Sequence, residues 1–263
     1  MRLFENGILI DHGSTDESID ICRQIAPHWK IVRSRLNYFD AWLTDFEVMQ
    51  HEFGIPGWKL ALNTTEFLVA NPGLDEIERF LDAQGKKGVA SSGMTMIDKM
   101  PLEAPKADRP LIVQKPWAID DNRFNRRWMR QVLGYPKAVL RNRFYHCHPT
   151  GMYHAGRHSS FSTDWELRTP NIMILHYGYS PWNEKFLSRK QQIATKIPEE
   201  DRLRGYGWQH FLTTPQLQQA FDRRNRLPYL DLTHHSIAAS AIAYVSDRTV
   251  GLDAKIKLVR NAI

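Results

Sequence analysis

The run Gly7-Ile8-Leu9-Ile10-Asp11-His12-Gly13-Ser14-Thr15-Asp16 constrains the fold of this chain more than any other segment. A short apolar run that ends in polar turn residues suits a buried strand. Gly13 admits a backbone conformation that other residues resist. Ser14, Thr15 or Asp16 can cap a following helix. That helix is legible in Ile19, Cys22, Ile25 and Ala26, which fall on one helical face. Strand, tight turn and helix start together put Asp11 at the carboxyl end of a strand, where open α/β sheets bind ligands. A carboxylate there can accept hydrogen bonds from a base or a ribose, although strand–Asp–Gly–cap is also ordinary turn chemistry.

The alternation continues. Lys30-Ile31-Val32 reads as a second strand, and Phe39, Trp42, Leu43, Phe46, Met49 and Phe53 recur at helical spacing over 38–53. Residues 58–62 and 67–69 read as further strands, and 74–81 as a helix after the Pro72-Gly73 turn. Residues 88–97 and the run from Asn171 to Tyr177 read as strands, and the three prolines within 100–110 mark a loop. Residues 182–194 suit a polar helix with Phe186 and Leu187 turned inward, and 216–226 a last helix; 236–245 is ambiguous between helix and strand. Strands alternating with helices predict an α/β chain, a sheet with helices on its faces.

At 263 residues the chain can bury a full core without disulfides or metals. Cys22 and Cys147 lie far apart and make no disulfide framework, which fits a reducing compartment. With no run of 18 apolar residues and no apolar leader, a cytoplasmic protein is expected, with any membrane contact peripheral. The net charge of +6 conceals an asymmetry, because residues 1–80 carry seven Lys/Arg against thirteen Asp/Glu and the remainder is basic. The densest basic stretch, 122–143, holds Arg123, Arg126, Arg127, Arg130, Lys137, Arg141 and Arg143 without one acid. With Phe124, Trp128 and Tyr135 as stacking surfaces it is a candidate nucleic-acid strip, weighed against a solvated basic face.

The Asp11-His12-Gly13-Ser14-Thr15-Asp16 segment resembles the Asp-x-Gly-Ser-Thr-Asp signature of family 2 glycosyltransferases, which have the GT-A fold. In that family a strand about fifty residues later leads to Asp-x-Asp, often followed by Glu-Phe-Leu. Here Trp58-Lys59-Leu60-Ala61-Leu62-Asn63-Thr64-Thr65-Glu66-Phe67-Leu68-Val69 occupies that place, with Asn63 and Thr65 where the two aspartates would stand. The likeness covers residues 7–80 well and 140–200 loosely; 201–263 match nothing in the family's pattern. It implies a GT-A-like, Rossmann-like mixed sheet flanked by helices over residues 1–200, and a helical C-terminal extension over 201–263 packed on it. The family opens with a strand and helix before this motif, whereas six residues precede Gly7 here, so either an upstream segment is missing or the nucleotide site is incomplete.

The implied activity is transfer of a sugar, of the hexosyltransferase type, from a nucleotide-diphosphate donor to a glycan, polysaccharide or other hydroxyl acceptor by a single inverting displacement. Asp11, Gly13, Ser14 and Asp16 would hold the nucleotide end, with Asn63, Arg189 and Lys190 at the phosphates. Mn²⁺ or Mg²⁺ would be held by Glu66, His176 and His158, since hard cations want carboxylate oxygens. Three outcomes stay open at the altered motif: Glu66 is the main metal ligand, an Arg or Lys replaces the metal, or activity is lost and a carbohydrate-binding protein remains. The base that takes the acceptor proton would be Asp164 or Glu166, with Asp98 a further candidate. The histidines of 145–158 do not match a zinc spacing.

Overall fold

The computed structural model describes residues 4, 6–71, 73–101, 103–106, 111–120, 142–162, 168–227 and 229–234. The described chain is a mixed α/β structure whose strands pair both parallel and antiparallel. The first unit has the elements its pattern suggests, strand β1 (Ile8–Asp11), helix α1 (Ser18–Ile25) and strand β2 (Lys30–Arg33), with β1 and β2 paired in parallel. However, β1 is only half-buried and no α1 side chain is buried, Ile25 being 61% exposed. These two strands form a sheet of their own rather than joining the larger one.

Among the described residues the larger sheet has seven strands. Its centre is β5 (Gly88–Ile97), which pairs in parallel with β8 (Arg168–Tyr179) on one side. On its other side β5 pairs antiparallel with two short strands, β7 (Phe144–His146) at its start and β6 (Trp117–Asp120) at its end. Strand β4 (Glu66–Ala70) pairs antiparallel with β8, while β3 (Lys59–Leu60) extends β7 and β9 (Leu230–Asp231) extends β6. Because β4 and β8 run in opposite directions, the first residue of β4 lies opposite the late part of β8. Glu66 is therefore the register partner of His176.

The two largest buried clusters among the described residues lie on this sheet. Helix α3 (Leu74–Ala83) turns Leu74, Ile77 and Leu81 onto Val89, Tyr145 and Ile172. Met94, Met96, Met173, Leu175 and Tyr177 pack with Ile112 from the short helix α4 (Leu111–Gln114) and with Leu232. Helix α5 (Glu184–Ala194) is capped by the Asn183 side chain, which accepts from the Phe186 N–H at 2.9 Å. As its pattern predicts, Phe186 and Leu187 face inward, onto Trp182, Leu217 and Phe221. After the short helix α6 (Glu199–Leu203), helix α7 (Thr214–Asn225) brings Phe221 to stack on Trp182, ring centroids 4.2 Å apart. Among the described residues no helix is long and apolar enough to cross a membrane.

Helix α2 (Ala41–Phe53) is turned opposite to the usual sense. Its buried side chains are the acids Asp45, Glu47 and Glu52, while Phe46 and Phe53 are 53% and 73% exposed. Each acid captures a different segment. Glu47 accepts from the Ser34 hydroxyl at 2.6 Å and the Arg35 N–H at 2.8 Å. Glu52 accepts from the Gly151 N–H and the Tyr153 hydroxyl at 2.8 and 2.6 Å. Asp45 takes the Gly156 N–H and the Arg157 guanidinium. Charge-assisted bonds to buried donors are about twice as strong as neutral ones, and they hold the helix with this face inward. Val48 and Met49 are partly buried against Phe144 and Tyr153, while Trp42, Phe46 and Met49 line a groove of about 420 Å³ with Met152 and Phe161.

Candidate functional site

The site has an exposed layer and a buried one. Asn63 and Thr64 are exposed in the turn between β3 and β4, and Arg189 of α5 donates to the Thr64 hydroxyl at 3.3 Å. Beneath them the Glu66 carboxylate and the Arg143 guanidinium form an ion pair whose side chains are 0% and 1% exposed. Arg143 donates from Nε and Nη2 to the two carboxylate oxygens at 2.8 and 2.6 Å. Its Nη1 donates to the backbone carbonyls of Asn142, Gly156 and Arg157 at 3.1, 3.1 and 2.9 Å, and lies 2.7 Å from His158 Nδ1. Glu66 also accepts from the Asn63 N–H at 2.9 Å.

A second guanidinium adjoins the first. Arg157 is buried between Asp45 and the Asn63 side-chain oxygen, to both of which it donates. Its φ of 56° lies in the left-handed region that side chains avoid, so its surroundings impose the conformation. Its Nε–H is buried without an acceptor. Burial outweighs the attraction of Arg157 and holds the Asp45 carboxyl above its ordinary range.

The Asp11 turn is self-contained. Asp11 accepts from the Ser14 N–H and hydroxyl at 2.9 and 2.7 Å and from Arg33 at 3.2 Å. Burial would raise its pKa, but the bonds from Ser14, the Gly13 backbone and Arg33 together hold it below the ordinary value. Gly13 has φ 88° and lies against the Arg33 guanidinium, so the glycine serves both the turn and the close approach. Asp16 accepts from the Ser18 N–H at 3.1 Å. Its carboxyl is held low by the Ser18 hydroxyl first and by that N–H next. Arg189 of α5 addresses the Thr64 turn.

The remaining expected residues fall as follows. Lys190 lies over the rings of Tyr179 and Phe186, at 5.4 and 5.0 Å. Asp98 does not suit a base. Its carboxylate is 0% exposed, takes Lys115 Nζ at 2.9 Å and accepts from the Met100 and Trp182 N–H groups. Asp164 and Glu166 lie outside the described residues, as does the basic stretch 122–141 with Phe124, Trp128 and Tyr135.

The expected ligand set does not fit a divalent cation. Mn²⁺ or Mg²⁺ needs several free oxygens, whereas both Glu66 oxygens are bonded to Arg143, the Asn63 oxygen to Arg157, and His158 Nδ1 faces an Arg143 donor. His176 is buried beside Glu66, its ring in space that a side chain at Gly178 would fill. Among the described residues no three His, Cys, Asp or Glu side chains are gathered as a metal group. Sequence reasoning missed Arg143, Arg157 and Asp45 as site residues. Arg143 reads in the sequence only as the end of the basic stretch 122–143, and its partners lie 77 and about 15 residues away. Comparison with protein-family models finds no match, and comparison with curated proteins finds none either.

Proposed function

We propose that the chain is a GT-A-like glycosyltransferase domain that moves a sugar from a nucleotide-diphosphate donor to a hydroxyl acceptor with inversion. The observation that carries the reading is α5. Its exposed Arg189 donates to the Thr64 hydroxyl at 3.3 Å, so a guanidinium stands at the turn of the second segment on which the family resemblance rests. A diphosphate carries compact negative charge, and preorganised guanidinium and ammonium groups stabilise it as it leaves. In the proposed displacement the acceptor oxygen attacks the anomeric carbon and the anomeric C–O bond breaks. The electron pair leaves with the diphosphate, and the acceptor proton passes to a carboxylate, Asp164 or Glu166.

The test is donor hydrolysis and transfer by the purified full chain with a panel of nucleotide sugars. Turnover that falls in Arg189→Ala supports the reading. Failure to bind any nucleotide sugar at millimolar concentration sinks it. A second reading, a carbohydrate-binding protein on the same fold without turnover, draws on the commitment of Glu66 to Arg143. Glycan binding indifferent to nucleotide would favour that reading.

A further inference from the structure

The Glu66–Arg143 pair has the wrong character for a structural ion pair chosen at random. It lies beneath the turn that the exposed Arg189 reaches, and a second buried guanidinium, that of Arg157, donates to the Asn63 side chain beside it. The network comprises three guanidiniums, Arg143, Arg157 and Arg189, against two carboxylates, Glu66 and Asp45. The two buried arginines are matched by the two acids, and the surplus positive charge falls on Arg189, which is exposed. A divalent ion brought to Glu66 would have to displace Arg143 from both oxygens and from three backbone carbonyls. It would then sit beside Arg157 in a medium that screens poorly.

We propose that the Asn63–Glu66 turn is a cation-independent anion site. Arg143 occupies both Glu66 oxygens that a divalent ion would need, and Arg189 presents the surplus charge to the phosphates of a nucleoside diphosphate. The buried arginine does not touch the ligand; it is a positioning residue that neutralises Glu66 and holds the 156–158 backbone and the β4 turn in one arrangement. The exposed arginine makes the contact. The ligand class rests on the transferase reading, whereas the replacement of the ion by Arg143 does not.

Two measurements on the full chain separate these parts. Titration of Mn²⁺, followed by the loss of the free-ion electron paramagnetic resonance signal, is expected to show no stoichiometric site up to about millimolar concentration. One bound Mn²⁺ per chain, lost in Glu66→Gln, overturns the proposal. Calorimetric titration with uridine, guanosine and thymidine diphosphates is expected to give at least one ligand whose affinity is the same in excess EDTA and in Mn²⁺. Tightening by Mn²⁺ of about tenfold or more overturns it. If no nucleoside diphosphate binds under either condition, the ligand assignment falls together with the transferase reading, and the Mn²⁺ titration still decides the role of Arg143. Arg143→Met supplies a converse test. Freed of its partner, Glu66 becomes a candidate ligand, so Mn²⁺ should raise the melting temperature of the variant and leave that of the wild type unchanged. A variant indifferent to Mn²⁺ counts against the proposal, and if it does not fold the wild-type titration stands alone as the decision.

Discussion

Replacing Arg143 by Met is the most informative perturbation of this fold. The substitution keeps an unbranched side chain of similar length and removes the charge. It strands Glu66, whose side chain is 0% exposed, with the Asn63 N–H as its remaining bond from this network. Breaking a buried pair from one side costs about 3–5 kcal/mol, because the surviving charge has neither partner nor water. The carbonyls of Asn142, Gly156 and Arg157 also lose a shared donor. At roughly 2–4 °C per kcal/mol for a chain near this size, the melting temperature should fall by about 6–20 °C in a calorimetric scan. The double variant Glu66→Leu/Arg143→Met removes the stranded charge. It should be more stable than Arg143→Met alone by about 2–4 kcal/mol, since apolar replacement of a whole buried pair is close to neutral. It should remain below the wild type, because the carbonyls still lack their donor. A double variant no more stable than the single one would refute the argument. The destabilisation would then come from packing or from the carbonyls, and Glu66 would not depend on Arg143 for its charge.

Two further outcomes follow from the same geometry. Arg189→Ala removes an exposed side chain whose bond to Thr64 is long, so its melting temperature should stay within about 0.5 kcal/mol-equivalent of the wild type. Its affinity for a nucleoside diphosphate should fall by about ten- to a hundredfold, the worth of one charge-assisted hydrogen bond, as calorimetry would register. Burial, aided by Lys190 and Arg189, lowers the pKa of His210 from 6.5 to about 4. The folded state therefore holds this ring neutral while the unfolded chain protonates it near 6.5. Stability from this group is full above about pH 6.5 and declines as the pH falls toward about 4. His210→Gln should flatten that part of a denaturation-versus-pH profile, and an unchanged slope would exclude the assignment.

What could be read from the residues alone was local. The apolar run 8–10 and the helical spacing after it, the helix of 74–81, the strand through 171–177 and the inward Phe186 and Leu187 are all properties of neighbouring side chains. Their periodicity reports the element that each segment forms. The Asp11-to-Asp16 turn was legible for the same reason, because Asp11, Gly13 and Ser14 bond within four residues. The short strands β6, β7 and β9 were not, since none carries a distinct apolar run and each is defined by the strand it pairs with. Helix α2 shows the limit most clearly. Its spacing announced a helix, but its sense was decided by Ser34, Gly151 and Arg157, which lie from about ten to more than a hundred residues away. The sequence by itself determined the elements and the family likeness of the turn. Only the tertiary structure could decide that Glu66 meets a guanidinium. An ion pair depends on which charges the fold carries into low dielectric together, and no local pattern encodes a partner 77 residues along the chain.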